Sequence, residues 1–140
     1  MGQFTHSLDD KGRVSLPARF RNGQSGQCFV ATRGIGGRCL FLYPIEGWEK
    51  VVERLERQKA RVDPDQRRLY LQLMQNTVES PVDAQGRITV PQRLLDLVGI
   101  GGEVAFVGAG EVIEMWDPEQ YEAYVAGSGE ELDDWLVRYL

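Results

Sequence analysis

Asp9-Asp10-Lys11-Gly12-Arg13-Val14-Ser15-Leu16-Pro17-Ala18-Arg19-Phe20 returns 74 positions later as Asp83-Ala84-Gln85-Gly86-Arg87-Ile88-Thr89-Val90-Pro91-Gln92-Arg93-Leu94. Asp, Gly, Arg, Pro and the second Arg recur at the same offsets, and Val/Ile, Ser/Thr, Leu/Val and Phe/Leu match in character. Two copies are too few for a solenoid; they point to two interlocking halves. Each copy predicts a turn, a strand and a helix start. Asp with Gly three residues on is turn chemistry, because Gly accepts the positive φ a tight turn needs. Val14-Ser15-Leu16 and Ile88-Thr89-Val90 alternate apolar and hydroxylic, as a half-buried strand does. Pro17 and Pro91 cannot continue a ladder but suit the first position of a helix, so each is expected to open a short helix, carrying Arg19 and Arg93. Two readings of Asp9–Arg13 and Asp83–Arg87 stand side by side: a clasp that holds the turn, and a motif presented to a partner.

At 140 residues the chain has the length of one domain, or of two very small ones sharing a core. Its composition, 42% hydrophobic and 26% charged, is that of an ordinary globular protein. No apolar run reaches membrane-spanning length, and Met1-Gly2-Gln3-Phe4 lacks the layout of a secretion signal, so a cytoplasmic location and no membrane partner are expected. Cys28 and Cys39 sit in strand-like apolar surroundings and are expected as buried free thiols. With His6 as the single histidine, no ligand-type spacing for zinc exists; no metal, no cofactor and no catalytic residues are expected. Net charge is −5, unevenly spread: residues 101–140 hold ten acidic residues against Arg138 alone, while the first 100 hold 15 basic and 11 acidic. A basic body and an acidic end leave room for a polyanionic partner despite the net sign.

Phe4–Leu8 predicts a first strand in which His6 is a half-exposed strand residue, and Asn22–Gly26 a loop. Cys28–Thr32 and Cys39–Tyr43 predict a hairpin across Gly34-Ile35-Gly36-Gly37; no helix and no Lys-Ser/Thr pair follows, so a phosphate cradle is disfavoured. Pro44 starts a helix whose Trp48, Val51, Val52 and Leu55 form one apolar stripe, with Lys50, Arg54, Arg57 and Arg61 on the other face. Asp63-Pro64 signals a second helix through Leu69, Tyr70, Leu73 and Met74. The two helices connect the halves and are expected to lack counterparts of similar length later. The second copy repeats the order: a strand near Thr77–Glu79, the motif, a Pro91 helix through Leu94, Leu95 and Val98, and a hairpin of Glu103–Val107 with Val112–Trp116. Asp117-Pro118 with Gln120 then caps a helix bearing Tyr121, Tyr124 and Val125. Ser128 and Glu131 cap a last helix with the stripe Leu132, Trp135, Leu136, Tyr139 and Leu140, which packs either on a neighbouring subunit or on the chain's own core.

With these residues in view, the chain resembles the MraZ family, whose halves are AbrB-like (SpoVT-AbrB) DNA-binding units. The resemblance rests on the doubled Asp-x-x-Gly-Arg motifs at 9–13 and 83–87, the strand-Pro-x-Arg segments after them, His6-Ser7-Leu8-Asp9, and Tyr43-Pro44 with Trp48. It covers nearly the whole chain; beyond about residue 127 only a helical tail matches. It implies an α+β fold in which two swapped-hairpin AbrB-like halves form one pseudo-two-fold β-barrel, with flanking helices and a helical C-terminal tail. The corresponding segments are 4–50 for half 1, 51–76 for the helical connection, 79–122 for half 2 and 123–140 for the tail. It further implies a cytoplasmic, nucleoid-associated transcription factor, chiefly a repressor of the bacterial division and cell-wall gene cluster. Such a protein binds double-stranded DNA at promoter direct repeats as a homo-octamer or dodecamer ring. The family's DNA-contacting motif carries over to Lys11 and Arg13, and to Arg87 in the second copy, where Gln85 stands in place of the lysine. Asp9, Gly12, Asp83 and Gly86 shape the turns.

A turn tip with Lys and Arg suits a groove, Arg on guanine edges and Lys on phosphate, and several tips on a ring gain affinity through effective concentration. Arg19 and Arg21 suit phosphate contacts; Arg21 suits a solvated helix end equally well. Three rivals are weighed. An AbrB-like antitoxin would normally carry one motif copy and a disordered tail. An enzyme on a related barrel lacks a nucleophile elbow, metal set or P-loop, and Asp9 and Asp83 each have an Arg of their own rather than a shared proton. A ring scaffold without DNA binding would be indifferent to neutralising Arg13.

Overall fold

The computed structural model describes residues 3–21, 27–127 and 129–140. The expected Asn22–Gly26 loop and the expected Ser128 cap lie outside the described residues. Among the described residues, eight strands and five α-helices, with two short 3-10 turns, follow in chain order. β1 (Gln3–Ser7) and β2 (Arg13–Ser15) flank the first motif turn; β3 (Cys28–Arg33) and β4 (Leu40–Pro44) form the first hairpin; α1 (Ile45–Arg57) and α2 (Pro64–Gln75) follow. β5 (Val78–Pro81) and β6 (Arg87–Thr89) flank the second turn, then come α3 (Gln92–Leu97), the hairpin β7 (Glu103–Ala109) and β8 (Val112–Trp116), α4 (Pro118–Val125) and α5 (Gly129–Tyr139).

The two copies are woven together rather than set side by side. One antiparallel sheet has the order β1-β7-β8-β4-β3-β5, and a separate ribbon pairs β2 with β6. Exchanging the strands of one copy for their counterparts in the other maps this order onto itself, reversed. The strand before each motif pairs with the hairpin of the opposite copy, β1 with β7 and β5 with β3. The expected closed barrel is not what the ladders form: β1 and β5 are edges of an open six-stranded sheet. The reason is local. Each motif strand is three residues long between a Gly turn and a Pro that cannot donate; its ladder is with the other motif strand, and on its other side β2 adds only an isolated bridge from Val14 to Leu8, too short to join the ribbon to the sheet.

Alternation decides the core. Val14 and Ile88 face each other across the ribbon and are fully buried, joined by Leu16, Phe29, Leu40, Leu42, Val90, Leu94, Phe106 and Met115. Burying a side chain of this size contributes roughly 1.5–3 kcal/mol, so this contact between copies holds the weave together. α1 lays Trp48 on the hairpin, with Val51, Val52 and Leu55 half-buried beside it, and ends where Lys59 takes a left-handed φ of 55°. Arg61 therefore lies beyond that helix, paired with Glu56 at 3.3 Å. Asp63 and Asp117 cap α2 and α4 as expected, accepting from Asp65 N and Gln120 N.

Three expectations change. Pro17 and Pro91 occupy the position before the helix, not its first residue, because their ψ of 137° and 144° is still extended. The first of the two helices is only a three-residue 3-10 turn, Ala18–Phe20. Cys28 is half-buried; Cys39 alone is buried, its thiol pushed up to about 12 by burial and by Glu114. Finally, the expected lack of later counterparts of similar length to the connection helices holds for one of them: α4, with 8 residues against the 13 of α1, is indeed much shorter, but α5, with 11 against the 12 of α2, is not.

Candidate nucleic-acid interface

At the first turn the Asp9 carboxylate accepts from Lys11 N at 2.9 Å and Arg13 N at 2.8 Å through Oδ1, and from Arg13 Nε at 2.5 Å through Oδ2. The backbone closes the same loop, Asp9 N donating to Arg13 O and Gly12 N to Asp9 O. Asp83 does likewise, accepting from Gln85 N, Arg87 N and Arg87 Nε, each at 2.9 Å. These donors stabilise the ionised form. The backbone N–H of Arg13, with the guanidinium and Lys11 N–H adding to it, draws Asp9 down to about 2 from an ordinary 3.8. Asp83 is lowered for the same reasons, the Arg87 N–H first. Both carboxylates are committed to their turns, so they do not form a proton-sharing pair.

Gly12 and Gly86 have φ of +76° and +78°, a conformation that favours glycine. Each turn is held by the opposite copy: Val90 N donates to Gly12 O and Leu16 N to Gly86 O, both at 2.9 Å. A second tie recurs within each copy. His6 Nδ1 lies 2.6 Å from Ser15 O, and Ser80 Oγ donates to Thr89 O at 2.9 Å; Ser80 is 74 positions after His6, and Thr89 after Ser15. His6 is thus a strand tie, as its half-exposed position suggested. Among the described residues no three metal-ligating side chains come together.

Because Val14 and Ile88 point into the core, Arg13, Ser15, Arg87 and Thr89 share the outer face of the ribbon. Antiparallel pairing sets Arg13 opposite Thr89 and Arg87 opposite Ser15, so the two arginines lie diagonally and the two turns sit at opposite ends. The clasps use Nε; the terminal guanidinium nitrogens of Arg13 and Arg87 hydrogen-bond to no described residue. That leaves each arginine its two-pronged end for an acceptor pair, held by a carboxylate from behind. Lys11 is exposed at the first tip, and Arg19 is exposed on the 3-10 turn. Arg21 goes elsewhere than its sequence position suggests: a Cβ on Gly86 would lie 2.9 Å from Arg21 Cζ and overlap Nη1, so its guanidinium covers the second turn. Arg93, the counterpart of Arg19, donates to Gln75 O at 3.0 Å and so ties α3 to the end of α2. The placing of Arg21 and the tie repeated in each copy escaped the reading of the sequence; the 74-residue offset was the signal that could have found the tie.

The fold and this site define a duplicated, interwoven α+β domain that presents two clasped Asp-x-x-Gly-Arg turns on one ribbon. The model of the MraZ protein family, described as antitoxin-like, matches residues 1–71 and 73–134. Relatives named transcriptional regulator MraZ include that of Natranaerobius thermophilus, 40% identical over 89% of this chain and 85% of its own. That of Thermomicrobium roseum is 40% identical over 88% and 84%, and that of Lachnoclostridium phytofermentans 34% identical over 99% and 96%. The chain belongs to the MraZ family.

Proposed function

We propose that this chain is a sequence-specific DNA-binding transcription regulator, chiefly a repressor, acting on the bacterial division and cell-wall gene cluster. It works in the cytoplasm on the nucleoid, binding promoter direct repeats as a ring of eight or twelve copies. Residues 4–50 and 79–122 are its two AbrB-like halves, 51–76 their connection and 123–140 the tail. The observation that carries this reading is the outer face of the ribbon: Arg13 and Arg87, each clasped through Nε with its terminal nitrogens unengaged by described residues, beside Ser15 and Thr89. Two amine ends in fixed geometry match the O6/N7 edge of guanine, while Lys11, Arg19 and Arg21 supply phosphate contacts that position without specifying. One tip is a weak binder; copies engaging successive repeats raise the effective concentration of the rest. The relatives' shared name as transcriptional regulators, and the absence among the described residues of any helix long and apolar enough to cross a membrane, agree with it.

The test is a salt-titrated binding assay on a labelled promoter fragment, wild type beside Arg13→Ala. Repeat-dependent binding by wild type, lost in Arg13→Ala with the assembly's size unchanged, is the expected result. An intact assembly that binds no repeat even at low salt would overturn the reading in favour of a scaffold.

A further inference from the structure

Two helical surfaces are apolar, exposed and opposite in charge, and the fold uses neither. α2 buries none of its residues, although it carries Leu69 and Leu71, exposed at 55% and 47%. Pro64, Arg67, Arg68, Leu71, Gln72 and Gln75 line a groove along it, at the spacing of one helical face. A second depression shares Gln72 and Gln75 and continues past Leu69 to Leu97 and Arg33. The charged residues lining both are Arg33, Arg67 and Arg68; no acidic residue lines either. α5 is the complement. Leu132, Trp135, Leu136 and Tyr139 stand at i, i+3, i+4 and i+7, with the Trp135 and Tyr139 rings 5.0 Å apart. Leu132, Trp135 and Tyr139 are all more than half exposed, and Glu131, Asp133 and Asp134 accompany them against Arg138 alone.

We infer that α5 of one copy docks, stripe inward, along the α2 groove of a second copy of this chain, with Trp135 as anchor and its acidic residues against Arg33, Arg67 and Arg68. Charge selects this occupant. Two α5 helices repel each other and so do two α2 grooves, so pairing of like surfaces is disfavoured and pairing of unlike ones favoured. The two surfaces also belong to opposite ends of the molecule: α2 touches β3, whereas α4, which leads into α5, touches β7, and these strands are second from opposite edges. A contact between two different patches repeats from copy to copy and closes into a ring where the rotation allows. The inference rests on the ring assembly proposed above and supplies its joint.

Sedimentation velocity over a range of concentrations tests it, on wild type, Trp135→Glu, Leu71→Glu and Arg67→Glu/Arg68→Glu, with far-UV melts to establish folding. Each substitution is at an exposed side chain and should leave the fold intact while raising the concentration needed for assembly by roughly tenfold or more, the scale of losing an aromatic anchor or its seat. Mixing Arg67→Glu/Arg68→Glu with Glu131→Lys/Asp133→Lys/Asp134→Lys should restore an assembly that neither forms alone. Folded variants that all keep the wild-type size would overturn the α5–α2 joint while leaving a ring in place. A wild type that stays monomeric throughout would instead sink the ring reading itself.

Discussion

In the first turn Asp9 gathers Lys11 N, Arg13 N and Arg13 Nε; in the second Asp83 gathers Gln85 N, Arg87 N and Arg87 Nε, with the same atoms in the same roles. Between the clasped ends the chain differs, Asp10-Lys11 in one and Ala84-Gln85 in the other. The residues that recur are those the geometry requires: a carboxylate short enough to reach back, a Gly with positive φ, an Arg whose Nε closes the loop. The residues that differ are the exposed ones, which the turn does not constrain. A cation is nevertheless present at both tips, because Arg21 of the first copy lies over Gly86 where the second copy has no lysine. The molecule thus keeps one scaffold twice and charges it by two routes.

The largest separation between the turns should come from Arg13→Ala and Arg87→Ala. If the tips read DNA as proposed, each removes a guanidinium worth about 1–3 kcal/mol of base discrimination per engaged tip. Arg13→Ala should weaken repeat binding more if the first tip, whose cation Lys11 stands in the turn itself, carries the larger share of the contact. Equal losses in a fluorescence-anisotropy titration would mean the two turns share the DNA evenly; no loss with Arg87→Ala would confine contact to the first. Gly12→Ala and Gly86→Ala come next. Both place an L-residue in the left-handed region, at about 1–2 kcal/mol. At Gly12 the new Cβ also overlaps the Val90 carbonyl, a backbone group, whereas at Gly86 it meets only the flexible end of Arg21. Thermal melts should therefore place Gly12→Ala lower by a few degrees; the reverse order would mean that Arg21 is held more rigidly than its exposure suggests.

What the sequence disclosed and what it withheld divide along the same line. The turns, their clasps and the strand-Pro segments were legible because local chemistry dictates them: Asp, Gly and Pro at these spacings have few other conformations. The pairing of β1 with β7 and of β3 with β5 was not, because register between distant strands is decided by which apolar faces fill the core, here Val14 against Ile88. The open sheet was not legible either, because alternation bounds neither the three-residue length of β2 and β6 nor how far their ladders extend. Arg21 over Gly86 is a contact between residues 65 positions apart in different copies, invisible to any local pattern. The α5 stripe was plain in the sequence; its exposure needed the fold.

Exchanging the tip residues gives a smaller and more pointed effect. Lys11→Gln makes the first tip resemble the second, and Gln85→Lys the reverse. If each lysine meets one phosphate, the slope of log K against log salt should change by about 0.9 per engaged tip, shallower for Lys11→Gln and steeper for Gln85→Lys. An unchanged slope for Lys11→Gln would remove that lysine from the interface. Arg21→Gln should flatten the slope as well if the cation over Gly86 faces DNA, and leave it alone if its only task is to cover the turn.

The smallest difference lies in the carboxylates themselves. Asp9 titrates at about 2, and Asp83 is also held below the ordinary 3.8, each chiefly by a backbone N–H of its own arginine. A carboxylate lowered by folding contributes stability that is fully present above its unfolded value and is lost as pH falls through the folded one. Both clasps should therefore be indifferent to pH from neutral down to about 4 and give way below it, Asp9 through about 2. Carbon-detected NMR titration of the two side chains reads this directly, with Arg13→Ala and Arg87→Ala as references. Each substitution removes the side-chain donor but keeps the backbone N–H, so its own aspartate should rise only part of the way towards 3.8 and the other should not move. An Asp9 that returned fully to the ordinary value in Arg13→Ala would show that the guanidinium, not the backbone, closes the turn, and the clasp would then be a side-chain device that DNA could compete for.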